Sequence, residues 1–172
     1  MNLNDTDFEL FDVPPTFAQD RDAIDARWKA LQREAHPDRF AAQGAAAQRI
    51  AMQWSVRINE AYQRLKNPIK RATYLCQLNG FPIQAETNTA MPADFLMQQM
   101  AWREGLDEAV TTKAVEAIAA DIDTHRCAAY AELAGSIDKD GDFEAAGQQV
   151  RALMFVERFA ADVDERLAAR EV

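Results

Sequence analysis

The sequence predicts an all-α protein built in two helical parts. Ala, Gln, Glu, Leu and Arg are frequent among its 172 residues, and its six Gly and six Pro fall mostly between regularly patterned segments. Within those segments apolar residues recur at intervals of three and four, the spacing of a helix with one buried face. A chain of this length can hold one domain or two small ones, each with a real core.

The first patterned segment is Asp20–Ala35. Ile24, Trp28, Leu31 and Ala35 form one stripe, Lys29 and Arg33 project from the far side, and Arg27 lies on a flank. The string His36-Pro37-Asp38-Arg39-Phe40 follows. Pro37 disfavours helical geometry at His36, so the helix should end there. Asp38 suits a turn, where its carboxylate can accept local backbone N–H bonds. The second segment, Gln43–Lys66, carries Ile50, Trp54, Ile58, Ala61, Tyr62 and Leu65 on its stripe. Two such stripes joined by a short turn pack as an antiparallel helical hairpin. An imidazole, a rigid ring and a carboxylate are thereby presented at an exposed tip, beside Lys29, Arg33 and Arg39.

Residues 81–92 read as a connector. Pro82, Glu86, Thr87, Asn88, Thr89 and Pro92 show no sustained period, while Phe81 and Ile83 predict partial packing. Three helices follow at 93–110, 112–135 and 143–170, with Gly135–Gly141 breaking the second from the third. Val115, Ile118, Ala119, Ile122, Ala129 and Leu133 fit the buried face of a three-helix bundle. In the first bundle helix Phe95, Trp102, Leu106, Ala109 and Val110 share one side and should face the core. Leu96, Met97 and Met100 fall on a different side, with Glu104 below them and Glu108 slightly further round. A surface helix needs only one apolar stripe. A second one ending in carboxylates points to an exposed binding patch with an acidic border, and methionines favour an adaptable contact surface. Burial of this stripe against the bundle or the hairpin is the alternative.

Charge divides the chain. Residues 1–80 carry 11 Lys+Arg against 10 Asp+Glu, a net of +1, and residues 81–172 carry 8 against 18, a net of −10. Nucleic acid is a poor partner for so acidic a chain, because that affinity comes largely from phosphate neutralisation. The basic face near His36 suits instead a protein with an acidic surface. No window approaches ~18 uninterrupted apolar residues, so no membrane span is expected. The first ten residues look like neither a secretory signal nor a transit peptide, which predicts a bacterial cytoplasmic location.

Cysteine and calcium chemistry find little support. Cys76 and Cys127 lie in separate helices without a close second Cys. His125-Arg126-Cys127 is read as a solvent-flanking His beside a small core Cys, and no metal or other cofactor is expected. In Asp138-Lys139-Asp140-Gly141-Asp142, Gly141 comes too early for an EF-hand and the twelfth position is Gln149. A polar turn with Asp142 capping the last helix is the better reading. No Gly-rich phosphate loop and no Ser/His or Cys/His arrangement with a nearby carboxylate is present, so the chain reads as a non-enzyme.

Phe8-Glu9-Leu10-Phe11, Trp28-Lys29, His36-Pro37-Asp38-Arg39-Phe40 and Ile58-Asn59-Glu60-Ala61-Tyr62 follow in an order that resembles a J-domain, the module that stimulates ATP hydrolysis by seventy-kilodalton heat-shock chaperones. Asn67-Pro68, Arg71-Ala72 and Tyr74-Leu75 extend the match. With the C-terminal half included, nearly the whole chain resembles the HscB family of iron–sulfur co-chaperones. The resemblance implies a J-domain at residues 1–80 and a scaffold-binding bundle at residues 93–172. It further implies that His36, Pro37, Asp38, Arg39, Lys29, Arg33 and Arg27 engage an HscA-type chaperone. Phe95-Leu96-Met97-Gln98-Gln99-Met100 and Arg103-Glu104 resemble the family's scaffold-binding helix. Leu96, Met97, Met100, Glu104 and Glu108, with Phe155 from the last helix, would then contact an IscU-type scaffold. Two departures bear on that patch: Ala101 stands where the family often has an acidic residue, and Gly105 in mid-helix should cost about 1 kcal/mol relative to Ala. A general J-protein would need a Gly/Phe-rich linker or a Cys-rich client domain, which this sequence does not show. A purely structural module with an inactive hairpin would leave every chaperone ATPase unchanged, and an enzyme using His36 and Asp38 would need a pocket around an exposed turn.

Overall fold

The computed structural model describes residues 2, 4–85, 87 and 91–169. Of the connector residues named above, Glu86, Asn88 and Thr89 lie outside them. Every regular element among the described residues is helical, as the sequence predicts, and none is long and apolar enough to cross a membrane. The chain forms two compact units, Met1–Leu75 and Cys76–Val172.

The N-terminal unit begins with α1, Asp7–Phe11. Thr6 and Glu9 form a reciprocal capping box, Glu9 N–H donating to Thr6 Oγ1 (3.2 Å) and Thr6 N–H to Glu9 Oε2 (2.7 Å). So short a helix persists only by packing, and Phe8, Leu10 and Phe11 are all buried. Helix α2, Arg21–Glu34, starts where Asp20 accepts from the N–H groups of Asp22 and Ala23. It ends at Ala35, one residue before His36, as the Pro37 argument requires. The next segment differs from the predicted turn. Pro37–Gln43 winds into a 3-10 helix, and α3 runs Ala45–Lys66 rather than starting at Gln43. Gly44 between them has φ +95°, a conformation that interrupts any helix and that glycine adopts without steric cost.

Helices α2 and α3 pack along the predicted seam, with Ile24, Leu31, Ala35, Ile58, Ala61 and Leu65 buried. Trp28 and Tyr62 are half-buried at its edge and stack with ring centroids 4.7 Å apart. Ile50 does not join the seam and is 56% exposed, its place being taken by Ala51. Steps of four along a helix turn about 400°, so a 58-54-50 row drifts off the stripe, whereas a step of seven returns closer to it. Helix α4, Pro68–Leu78, opens with Asn67 Oδ1 accepting from Lys70 N–H (3.0 Å) and Pro68 in the first turn.

A buried ion cluster ties α1 to α3. Asp7 is fully buried; Arg64 donates to it from Nε (2.5 Å) and Nη2 (3.0 Å). Arg57 Nη1 lies 2.7 Å from Asp7 Oδ1 but out of line for a hydrogen bond, while its Nη2 donates to Asp5 C=O (2.9 Å). The bonds to Asp7 hold the Arg64 guanidinium above its ordinary pKa.

The C-terminal unit is a three-helix bundle of α5 (Ala93–Glu108), α6 (Thr112–Ala134) and α7 (Phe143–Ala168). Phe95, Trp102, Leu106, Ala109, Val115, Ile122, Val156 and Val163 form its core. Val110, predicted to face that core, is 87% exposed. The reason is that α5 stops at Glu108 and Ala109 turns extended (ψ 102°), so the wheel does not reach residue 110. The expected break at Gly135–Gly141 is also smaller than predicted. Gly135 stays in right-handed helical geometry and residues Gly135–Asp140 continue as a π-helical turn that buries Ile137. The chain reverses only at Gly141 (φ +63°), after which Asp142 accepts from Ala145 N–H (3.0 Å) and caps α7 as predicted.

Asp7→Asn keeps the side-chain shape and removes the charge that two guanidiniums face. It should destabilise the protein by about 2–3 kcal/mol, less than the ~3–5 of a wholly buried pair because Arg64 can rehydrate. Urea denaturation followed by helical circular dichroism checks this, and an unchanged midpoint would show the cluster to be dispensable.

Candidate functional site

The first candidate surface belongs to the N-terminal unit. His36 keeps an extended backbone (φ −64°, ψ 126°), as a residue before proline prefers, and so caps the 3-10 helix. Its Nδ1 accepts from Asp38 N–H at 3.3 Å and lies 3.5 Å from Asp38 Oδ2. An accepting Nδ1 leaves Nε2 as the donor of the neutral ring. The side chains stay open to solvent, 57% for His36 and 90% for Asp38. Exposure of that order leaves both side chains accessible to another molecule.

The basic residues around the loop do different things. Lys29 and Arg33 are exposed on α2. Arg39 donates from Nη1 to Arg33 C=O (3.2 Å), satisfying a carbonyl at the negative end of α2. Arg27 is half-buried, with Nε out of reach of solvent and of any acceptor among the described residues. Further along α2, Tyr62 OH donates to Asp25 (2.9 Å), and this bond, with Arg21 at 2.9 Å and the charge of Lys29, holds the Asp25 carboxyl below its ordinary range. The hairpin is clasped from its sides: Trp28 Nε1 (2.9 Å) and Gln32 Nε2 (2.7 Å) both donate to Asn59 Oδ1, and Ser55 Oγ donates to Gln32 Oε1 (2.9 Å).

The second candidate surface is on α5. Phe95, Trp102 and Leu106 are buried, and Trp102 Nε1 donates to Asp121 (2.7 Å). Leu96, Met97 and Met100 remain 46%, 70% and 62% exposed, and Glu104 and Glu108 are exposed beyond them. The alternative of a stripe buried by the bundle is therefore not what α5 adopts. Phe155 differs from the rest of the predicted set. It is half-buried and packs on the bundle core, sharing a small pocket of about 50 Å³ with Gln99, Trp102 and Arg103. It borders α5 there without standing free of the core. Gly105 is tolerated without a close approach: an added Cβ would sit 3.5 Å from Ile118 Cδ1, an ordinary van der Waals distance.

Against known proteins, the family model described as the HSCB C-terminal oligomerisation domain matches residues 91–164. The co-chaperone protein HscB homolog of Burkholderia mallei (strain SAVP1) is 47% identical over 174 residues, covering 99% of each chain. The chain belongs to the HscB co-chaperone family. The homolog of Paraburkholderia xenovorans (strain LB400) is 46% identical over 173 residues, 99% of this chain and 98% of that one. Among solved structures, chaperone HscB from Vibrio cholerae aligns with a TM-score of 0.83 at 31% identity, over 98% of this chain and 100% of that one. Human co-chaperone HscB aligns with a TM-score of 0.86 at 25% identity, over 100% and 85%. The all-α architecture of this chain is thus the HscB fold.

Two local readings are reversed by packing. His125, expected toward solvent, is half-buried with its ring 6.1 Å from Phe95 and edge-on to Trp102 at 5.0 Å. Cys127, expected in the core, is exposed, whereas Cys76 is buried and that burial pushes its thiol up to about 11. No group of three or more His, Cys, Asp or Glu among the described residues is arranged to hold a metal ion. The residues that sequence reasoning missed are the supports: Asp7 with its arginines, and the Gln32–Ser55–Asn59 clasp. The one available signal was the Thr6–Glu9 capping box, which marks α1 and hence places Asp7 in a packed helix.

Gly105→Ala should stabilise the C-terminal unit by up to about 1 kcal/mol, through helix propensity alone. Its melting temperature should rise by up to roughly 4–8 °C. A fall would mean that Ile118 cannot accept the added methyl group.

Proposed function

We propose that this chain is a two-surface adaptor in the bacterial cytoplasm. Its N-terminal J-domain, residues 1–80, stimulates the ATPase of an HscA-type chaperone. Its C-terminal bundle, residues 93–172, holds an IscU-type scaffold and delivers it to that chaperone during iron–sulfur cluster assembly and transfer. The observation that carries this reading is the exposure of Leu96, Met97 and Met100 on a helix whose other face already fills a core. Membership of a co-chaperone family supports the chaperone-directed half, as does a His-Pro-Asp loop presented in solvent.

The two surfaces work by different physics. His36, Pro37 and Asp38 form the activating contact, with Lys29, Arg33 and Arg39 supplying positive charge that steers an acidic chaperone face toward the loop. Arg27, half-buried, adds to that face chiefly through its charge. Binding favours the hydrolysis-competent state of the chaperone, so the chemistry remains the chaperone's own and the adaptor is not an enzyme. On α5, Leu96, Met97 and Met100 supply desolvated apolar contact while Glu104 and Glu108 orient the scaffold at the rim. Phe155 supports the patch from α7 with the exposed part of its ring.

His36→Gln should abolish stimulation of an HscA-type ATPase while leaving the melting temperature nearly unchanged, since an exposed loop residue contributes little to stability. Stimulation at the unmodified level would remove the mechanistic basis for the J-domain reading. The combined change Leu96→Ala/Met97→Ala/Met100→Ala should weaken scaffold binding about 100-fold or more, with the fold retained. If those side chains were core, each truncation would instead cost about 2–5 kcal/mol of stability. Calorimetric titration with the scaffold, run beside a thermal melt of the same variant, separates the two outcomes.

A further inference from the structure

We propose that a groove on the other flank of α5 receives a lysine- or arginine-bearing segment of the partner that docks on Leu96, Met97 and Met100, an inference that rests on the reading of α5 given above. Near the start of α5 the three bundle helices leave an open groove of about 660 Å³, far beyond the ~30 Å³ a water occupies in the liquid and within the range of ligand sites. Phe95, Leu153 and Val156 line its apolar part, and Ala129 and Ala152 narrow its walls so little that side chains can enter.

The groove's polar edge is selective in sign. Asp94 and Glu132 line it with Gln148 and Gln149, and no lysine or arginine does. Gln149 donates from Nε2 to Glu132 (3.3 Å), while its Oε1 is buried without a donor among the described residues. Two carboxylates and an orphaned carbonyl are all acceptors, so the matching ligand brings several N–H donors and positive charge, as an ammonium or guanidinium does. His125, the one basic ring in the lining, is already packed against Phe95 and Trp102. An acidic segment would meet like charge on burial, which excludes it more strongly than any contact here could attract it. The same argument disfavours the acidic bundle of a second copy, whose residues 81–172 carry a net −10.

Continuity ties this groove to one partner rather than two. Asp94, Phe95 and Gln98 of α5 line the groove, whereas Leu96, Met97 and Met100 of the same two turns form the exposed stripe. Glu104 and Glu108 at the end of that stripe repeat the carboxylate lining of the groove. A single cationic face straddling α5 satisfies both.

The test is calorimetric titration of an IscU-type scaffold into the full chain and three variants: Asp94→Asn/Glu132→Gln, Ala129→Leu, and Leu96→Ala/Met97→Ala/Met100→Ala. The carboxylate variant should lower affinity about tenfold at low ionic strength and flatten its dependence on salt. Ala129→Leu, which fills the groove, should lower affinity similarly. Should Ala129→Leu fail to fold, the carboxylate variant decides, because it leaves side-chain size unchanged. Unchanged affinity in both groove variants, with the stripe variant weak, overturns the groove and leaves the α5 reading standing. Unchanged affinity in all three overturns both. A chain that sediments as a dimer, and becomes monomeric on Ala129→Leu, overturns the cationic partner in favour of a second copy.

Discussion

Asn59 Oδ1 accepts two hydrogen bonds from α2, one from Trp28 and one from Gln32, and everything the N-terminal unit presents depends on the register those bonds fix. Apolar seams hold helices together but tolerate sliding, because burial is non-directional. Hydrogen bonds between named atoms do not tolerate it. With Gln32 also joined to Ser55, these bonds reinforce the offset at which the stripes of α2 and α3 pack, while Pro37 stops α2 and Gly44 releases α3 locally. The loop between them is then short, capped at His36, and tied back to α2 by Arg39. The Asp7 cluster acts one layer further out, keeping α1 against α3 so that Phe8, Leu10 and Phe11 complete the core beneath the hairpin.

The C-terminal unit meets the opposite problem, how to keep apolar side chains in water without losing the fold. Its solution is division of labour within one helix. Phe95, Trp102 and Leu106 contribute enough burial to anchor α5, and Asp121 satisfies the indole N–H that this burial would otherwise strand. Leu96, Met97 and Met100 are thereby released from any structural duty. A mid-helix glycine in α5 is consistent with a helix held by its core face more than by intrinsic propensity.

Periodicity made most of the fold legible, because a stripe such as Ile24-Leu31-Ala35 or Val115-Ile122 is written in neighbouring residues. Proline and capping chemistry were equally local, hence the correct end of α2 and the Asp142 cap. What stayed illegible required distance or accumulated geometry. Asp7 meets Arg57 and Arg64 across fifty residues or more. Ile50 and Val110 were misplaced by extending a stripe past the point where the helix drifts or stops. His125 sits beside Phe95 and Trp102 of another helix and Phe155 packs on the bundle core, and whether such a ring is covered depends on those neighbours rather than on its own turn. The exposed stripe of α5 was legible for a simpler reason: one helix carried more apolar faces than a bundle can cover.

If the chain brings a scaffold to a chaperone as proposed, one polypeptide must carry both surfaces. The most direct measurement is steady-state ATPase of an HscA-type chaperone with an IscU-type scaffold and an equimolar mixture of two defective chains, His36→Gln and Leu96→Ala/Met97→Ala/Met100→Ala. The account predicts that the mixture fails to restore the joint stimulation seen with the unmodified chain, because no single molecule links the two partners. Full restoration by the mixture would contradict it, showing that the two surfaces act independently.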